Sequence, residues 1–239
     1  MHSLKRATTL IVASVVALSS ASAQATVGTP GTGQGTTYPF GQGAGYTKFQ
    51  EFLSASYFTA PLNINAVTFY RTANTAGAFQ QGTFSLFLNS TTTTLANYNF
   101  GNPGANEVVG NRRLIGTVTI PNATTTASTL TFTGAGAFTY NPAAGNLLID
   151  VDFAPVGGFF APGRATFDTF SDPVGNQSNL VATASDPQAL FGGTASSRGQ
   201  GLVATFDVAP TVVPEPSSVV LMAAGMFGLL VAARRTAKV

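Results

Sequence analysis

Between residues 46 and 209 apolar and polar side chains alternate with a period of two, and no stretch sustains a period of 3.6. Period two sends successive side chains to opposite faces of an extended backbone, so it marks half-buried strands. In residues 128–133, Leu130 and Phe132 share one face while Thr129, Thr131 and Thr133 take the other. Phe84, Leu86 and Leu88 form a second such stripe. Leu147, Ile149, Val151 and Phe153 alternate with Leu148, Asp150 and Asp152. Leu202, Ala204, Phe206 and Val208 alternate with Val203, Thr205 and Asp207. Residues 47–58, 64–71, 114–120, 164–170 and 179–184 read as further strands. Turn chemistry separates them: Asn102-Pro103-Gly104, Pro121-Asn122, residues 141–145, Asp172-Pro173 and Gly192-Gly193. About nine strands joined this way predict an all-β fold, a two-sheet antiparallel sandwich of jelly-roll-like form. A barrel or a β-solenoid is the alternative, and the lack of a fixed repeat period speaks against the solenoid.

Such a fold has to hold itself together by its core. The chain has 239 residues and no Cys, so it has no disulfides. Its single His is His2, and its three Met are Met1, Met222 and Met226, all near the chain ends. Residues 24–213 therefore carry no imidazole, thiol or thioether. That excludes zinc sites of the His/Cys kind, haem ligation by His, Met or Cys, Cys nucleophiles and Ser-His-Asp triads.

The two ends differ from the middle. Lys5 and Arg6 precede an apolar stretch over residues 10–18, and Ala21-Ser22-Ala23 follows. A basic start, a short apolar run and a small-residue site with Ala21 and Ala23 predict a signal peptide over residues 1–23, cleaved before Gln24. Residues 24–45 are rich in Gly and Thr and read as an extended leader or loose strand. Residues 46–209 form the β domain. Residues 217–233 are uncharged and apolar, a minimal membrane span against the roughly 20 residues a helix needs. Arg234, Arg235 and Lys238 follow at once, so this end is expected to stay cytoplasmic. Pro214 and Pro216 keep a helix from extending upstream.

Residues 24–213 hold six basic and eight acidic side chains, a net of −2, although the whole chain is +2. The basicity belongs to the ends and is no argument for nucleic-acid binding. Arg112-Arg113 is too small a cluster to track phosphates.

Pro214-Glu215-Pro216, the apolar run and the basic stop occur in that order within residues 210–239. This tail resembles the C-terminal sorting signal of bacterial PEP-CTERM proteins. A weaker resemblance lies at residues 138–151, which look like a segment recurring in the exported domains of that family, and Ala66-Val67-Thr68-Phe69-Tyr70-Arg71 fits it less specifically. The resemblance implies passage through the Sec export machinery and transient anchoring in the inner membrane. It also implies processing by an exosortase-type enzyme near Pro214-Glu215-Pro216. Delivery to the cell surface or extracellular matrix of a Gram-negative bacterium would follow.

Asp150 and Asp152 are the candidates for chemistry. Two residues apart on a strand, their carboxylates share a face roughly 6–7 Å apart. Such a pair takes calcium if other oxygens join in, with Asp168, Asp172 or Asn176 as further ligands. Its spacing also approaches that of a glycosidase pair. A solvated sheet face is the plainer reading. No other cofactor is expected.

Sugar binding would have to use Tyr in place of the missing Trp, or the 157–163 loop with Phe159 and Phe160. Only fourteen of residues 24–213 are charged, so Thr, Ser, Asn and Gln carry the surface polarity, a composition suited to a glycan matrix. Residues 91–94 and 124–126, and the N-x-S/T sites at Asn89, Asn122 and Asn176, are candidate glycosylation positions. The expected function is that of an exported, non-enzymatic surface or matrix protein, structural or adhesive, with exopolysaccharide as a partner. The alternatives are a glycan-binding β-sandwich module, with or without calcium, and a polysaccharide-active enzyme.

Overall fold

The computed structural model describes residues 23–31, 35–41, 46–73, 77–94, 97–99, 102–121, 127–156, 165–171, 179–184, 200–209 and 225–226. Strand is the predominant regular structure among these residues. In chain order the strands are β1 (Ala23–Val27), β2 (Gly35–Thr36), β3 (Tyr46–Leu53), β4 (Leu62–Tyr70), β5 (Gly82–Thr91) and β6 (Arg113–Ile120). They continue with β7 (Thr129–Tyr140), β8 (Asn146–Pro155), β9 (Phe167–Ser171), β10 (Asn179–Ala184), β11 (Gln200–Leu202) and β12 (Ala204–Val208).

Nine strands form one sheet in the order β1-β12-β4-β7-β6-β5-β8-β3-β10, and β11-β9-β2 form a small second sheet. Every strand pairing is antiparallel. The pairs β3·β8, β4·β7 and β5·β6 are nested in the sequence like one long hairpin wound on itself, and β8 also lies along β5. Two separate sheets are expected from the alternation. Instead the main-chain pairing passes from β6 to β7 through Gly116 and Gly134, so the two layers are halves of one curled sheet. Glycine is needed at this crossing. A Cβ on Gly116 would run into the backbone of Phe132 and Thr133, and Gly134 has a φ of +94°.

Both halves and the small sheet close on one core. Phe40 is fully buried between Phe69 of β4, Phe84 of β5, Phe132 of β7 and Phe167 of β9, with ring centroids 5.0–5.7 Å away. Tilted and edge-on aromatic contacts at these distances add to the area they bury. Leu147, Ile149, Val151 and Phe153 of β8 face this core, as their alternation predicts, while Leu148 turns outward into a small cluster with Phe52 and Tyr98.

One feature departs from the sequence reading. The alternation over residues 202–208 suggests one strand, but Val203 divides it. Leu202 belongs to the small sheet, Ala204 starts a strand of the large one, and the Val203 N–H donates to the Asp168 carbonyl at 2.9 Å. The leader is also tied in at two places. β1 pairs with β12 from Ala23↔Val208 to Val27↔Ala204, and β2 pairs with β9.

Residues 141–145 turn as expected, with a short 3-10 helix at Pro142–Ala144 whose Ala143 N–H donates to Asn141 Oδ1 at 3.0 Å. The Tyr140 hydroxyl donates to the Gly145 carbonyl at 2.8 Å, and burial raises its pKa to about 12. Asn146 reaches beyond the turn, accepting from the Ala55 N–H at 3.0 Å and donating to the Thr93 carbonyl at 3.1 Å.

Candidate functional site

Register decides what surrounds the two aspartates. β8 lies between β3 and β5, so cross-strand rows form on its outer face. Gln50, Asp150 and Phe87 make one row, and Lys48, Asp152 and Ser85 make the next. Residues of one row sit close enough to interact side by side. The described parts of the connection between β5 and β6 lie over these rows. Thr91 Oγ1 donates to the Asn106 carbonyl at 2.6 Å, and Asn89 Nδ2 to the Val108 carbonyl at 3.2 Å. Tyr98 stacks on Phe52 and donates to Gln50 Oε1 at 2.7 Å. This connection brings Glu107 and Arg112 to the strands.

Three carboxylates therefore meet two cations. Lys48 Nζ is 2.7 Å from Asp150 Oδ2, 3.3 Å from Glu107 Oε1 and 3.4 Å from Asp152 Oδ1. Arg112 bridges the aspartates, with Nε 2.7 Å from Asp150 Oδ2 and Nη2 2.6 Å from Asp152 Oδ2. Its guanidinium lies 3.4 Å from the centre of the Phe87 ring. Gln50, fully buried, donates to Glu107 Oε1 at 3.3 Å.

Asp150 is not on a solvated face. Its side chain has no exposure, whereas that of Asp152 is 44 % exposed. Asp150 Oδ1 makes no hydrogen bond among the described residues. Burial pulls Lys48 and Arg112 toward losing their protons. The carboxylates, Asp150 foremost, more than offset this, and both pKa values end above their usual range. Glu107 is held above the usual carboxylate range by burial first and the Asp150 charge second, with Lys48 pulling it back. Burial, then Asp150, pushes Tyr98 above the ordinary tyrosine range.

The two aspartates already accept from Lys48 and Arg112, so a calcium ion between them would have to displace two cations. Among the described residues no group of three or more His, Cys, Asp or Glu is placed to hold a metal ion. Asp168 lies elsewhere, on β9 of the small sheet, where its Oδ2 accepts from the Gly31 N–H at 2.7 Å. Asp172 and Asn176 lie outside the described residues. Sequence reasoning missed Lys48, Gln50, Tyr98, Glu107 and Arg112 as neighbours of Asp150, because the register of β3 on β8 brings the first two and the path of the connection after β5 brings the other three.

A further buried acid lies on the opposite face of β3. Glu51 points inward, pairs with Ile149 in register, and accepts from the Leu202 N–H at 2.8 Å, which ties β11 to the large sheet. Its other oxygen makes no hydrogen bond among the described residues, and burial raises its pKa well above the carboxylate range.

The proposed surface features fare unevenly. Asn89, Thr91 and Thr93 are buried, so they are poor acceptors for sugar in the folded protein. Asn122, residues 124–126, Phe159 and Phe160 lie outside the described residues. Tyr98 and Tyr140 are buried and Tyr38, Tyr57 and Tyr70 are half-buried, so none of these five offers an exposed aromatic platform. The outer sheet face is instead lined with paired hydroxyls: Thr26 with Thr205 at 2.8 Å, Thr68 with Thr131 at 2.9 Å and Thr83 with Thr119 at 3.1 Å.

The described body is thus an antiparallel all-β domain with a weakly charged, hydroxyl-rich exterior. Residues 212–235 match the PEP-CTERM protein-sorting motif. The match agrees with the resemblance of the tail and supports an exported, surface-directed protein processed by an exosortase-type enzyme. No curated protein and no solved structure matches the chain. Pro214, Glu215, Pro216, Arg234 and Arg235 lie outside the described residues, as do Ala21 and most of the expected span. Gly225 and Met226 within that span are helical. Among the described residues no helix is long and apolar enough to cross a membrane. Ala23 is the first residue of β1.

Proposed function

We propose that this protein is an exported, non-enzymatic component of the cell surface or extracellular matrix, with a structural or adhesive role and a jelly-roll-like sandwich as its body. The observation that carries this reading is the sorting-motif match over residues 212–235. The nested pairing of β3·β8, β4·β7 and β5·β6 supports the jelly-roll-like description. The Asp150–Asp152 pair is taken up by two cations, which favours a structural over a catalytic role for these two carboxylates.

On this reading the Sec machinery exports the chain and residues 217–233 anchor it transiently in the inner membrane. An exosortase-type enzyme then cuts near Pro214-Glu215-Pro216. The test is to recover the protein from the surface and medium of its producing cells and map both termini. A chain beginning near Gln24 and ending near Pro214 is the expected result. A full-length tail that stays in the membrane fraction would make the terminal run an ordinary anchor and remove the main support.

A further inference from the structure

We propose that Lys48 and Asp150 condense into an intramolecular amide that staples β3 to β8, with Glu107 relaying the protons. The three groups occupy one site on the outer face of the sheet. Lys48 Nζ lies 2.7 Å from Asp150 Oδ2 and 3.3 Å from Glu107 Oε1. The nearby Asp152 is a worse partner, 3.4 Å from the amine and 44 % exposed, whereas Asp150 is fully buried. Its Oδ1 is bare of hydrogen bonds among the described residues, and so is the oxygen suited to leave.

The step balances without an oxidant or another reactant. Through Glu107 the ammonium passes a proton on to Asp150, which leaves a neutral amine beside an uncharged carboxyl, and the Nζ lone pair then attacks Asp150 Cγ. The N–C bond forms, Arg112 holds Oδ2 as it becomes the amide oxygen, and the Cγ–Oδ1 bond breaks. Two protons from the original ammonium leave with Oδ1 as water; the third stays on the amide nitrogen. Water opposes such condensations in solution. Holding the reactants at contact distance lowers the barrier, since effective concentrations reach about 10⁵–10⁸ M in well-oriented intramolecular reactions. Condensation also removes two charges from a site where burying them is costly, and leaves Arg112 with Asp152. Glu107 suits the relay because burial and Asp150 raise its pKa toward that of a proton carrier.

The link would join residues 102 apart in a chain that has no Cys with which to make a disulfide. The test is a tryptic map of the denatured full-length chain. The expected product is a branched peptide joining the Lys48 segment to the Asp150 segment, lighter by one water than the two together, with no cleavage after Lys48. Lys48→Arg and Asp150→Ala abolish it. Glu107→Gln keeps both reactants and slows linkage by about 10²-fold or more. Trypsin cutting after Lys48 in the wild-type chain, with no branched peptide, would overturn the proposal and leave an ion cluster only. This readout needs no variant to fold. Linkage at an undiminished rate in Glu107→Gln would overturn the relay.

Discussion

Two carboxylates sit back to back across the β3·β8 pair, and their surroundings could hardly differ more. Asp150 on the outer face is fully buried yet meets Lys48 and Arg112, each 2.7 Å from the same oxygen. Glu51 on the inner face is equally buried but, among the described residues, accepts only from the Leu202 N–H at 2.8 Å. Both follow the period-two alternation. The difference arises from what each face is packed against. The outer face is covered by a connection that carries charges, while the inner face closes on Phe, Leu and Val. A buried charge needs a paired partner, and without one the acid keeps its proton instead.

Removing Asp150 breaks this comparison most severely. Asp150→Ala leaves Lys48 and Arg112 partly buried against two carboxylates, one of them half in water. Measured against wild-type chain in which the Lys48–Asp150 amide has not formed, the expected loss is about 3–5 kcal/mol, read from the urea midpoint of unfolding. A loss below about 1 kcal/mol would mean the cluster is loosely held.

Arg112→Lys probes the fork itself. Lysine keeps the charge but cannot bridge Asp150 and Asp152 or lie flat on Phe87. About 1.5–3 kcal/mol should be lost, and a change within error would show that charge alone suffices.

Glu51→Gln sharpens the other side. Because burial raises the folded pKa of Glu51, its stabilising effect is fully present below the unfolded value near 4.5. It fades as pH rises toward the folded pKa, by up to about 1.4 kcal/mol per pH unit. Gln cannot ionise, so the variant should match the wild type in acid and exceed it at neutral pH. Parallel stability curves for the two proteins across pH would contradict a protonated Glu51.

The smallest effect belongs to the hydroxyl pairs on the outer sheet face. Thr131→Ala removes the 2.9 Å contact with Thr68 and should cost about 0.2–1 kcal/mol in thermal unfolding. A larger loss would show that this face is covered rather than open.

The inner face was legible in the sequence to a good degree. Phe84, Leu86 and Leu88, and Leu147, Ile149, Val151 and Phe153, are buried as their alternation predicts. Residues 179–184 form a strand as expected. The break at Val203 was invisible, because apolar residues continue through it and only the competition between two sheets divides the segment. Asp150 and Asp152 were marked by spacing, but spacing cannot report burial. A charged pair on an alternating strand reads as solvated until some distant segment is known to cover it.

The chain by itself determined the alternating core stripes of β5 and β8, the absence of thiol and imidazole chemistry in residues 24–213, and the sorting motif at residues 212–235. Each of these depends on residue type and local order alone. Tertiary structure decided that one sheet curls through Gly116 and Gly134, that Asp150 is buried, and that Lys48, Glu107 and Arg112 gather around it. Those outcomes depend on the register of β3 on β8 and on the path of the connection after β5. Register is set by which faces must leave water together, so it is a property of the packed whole.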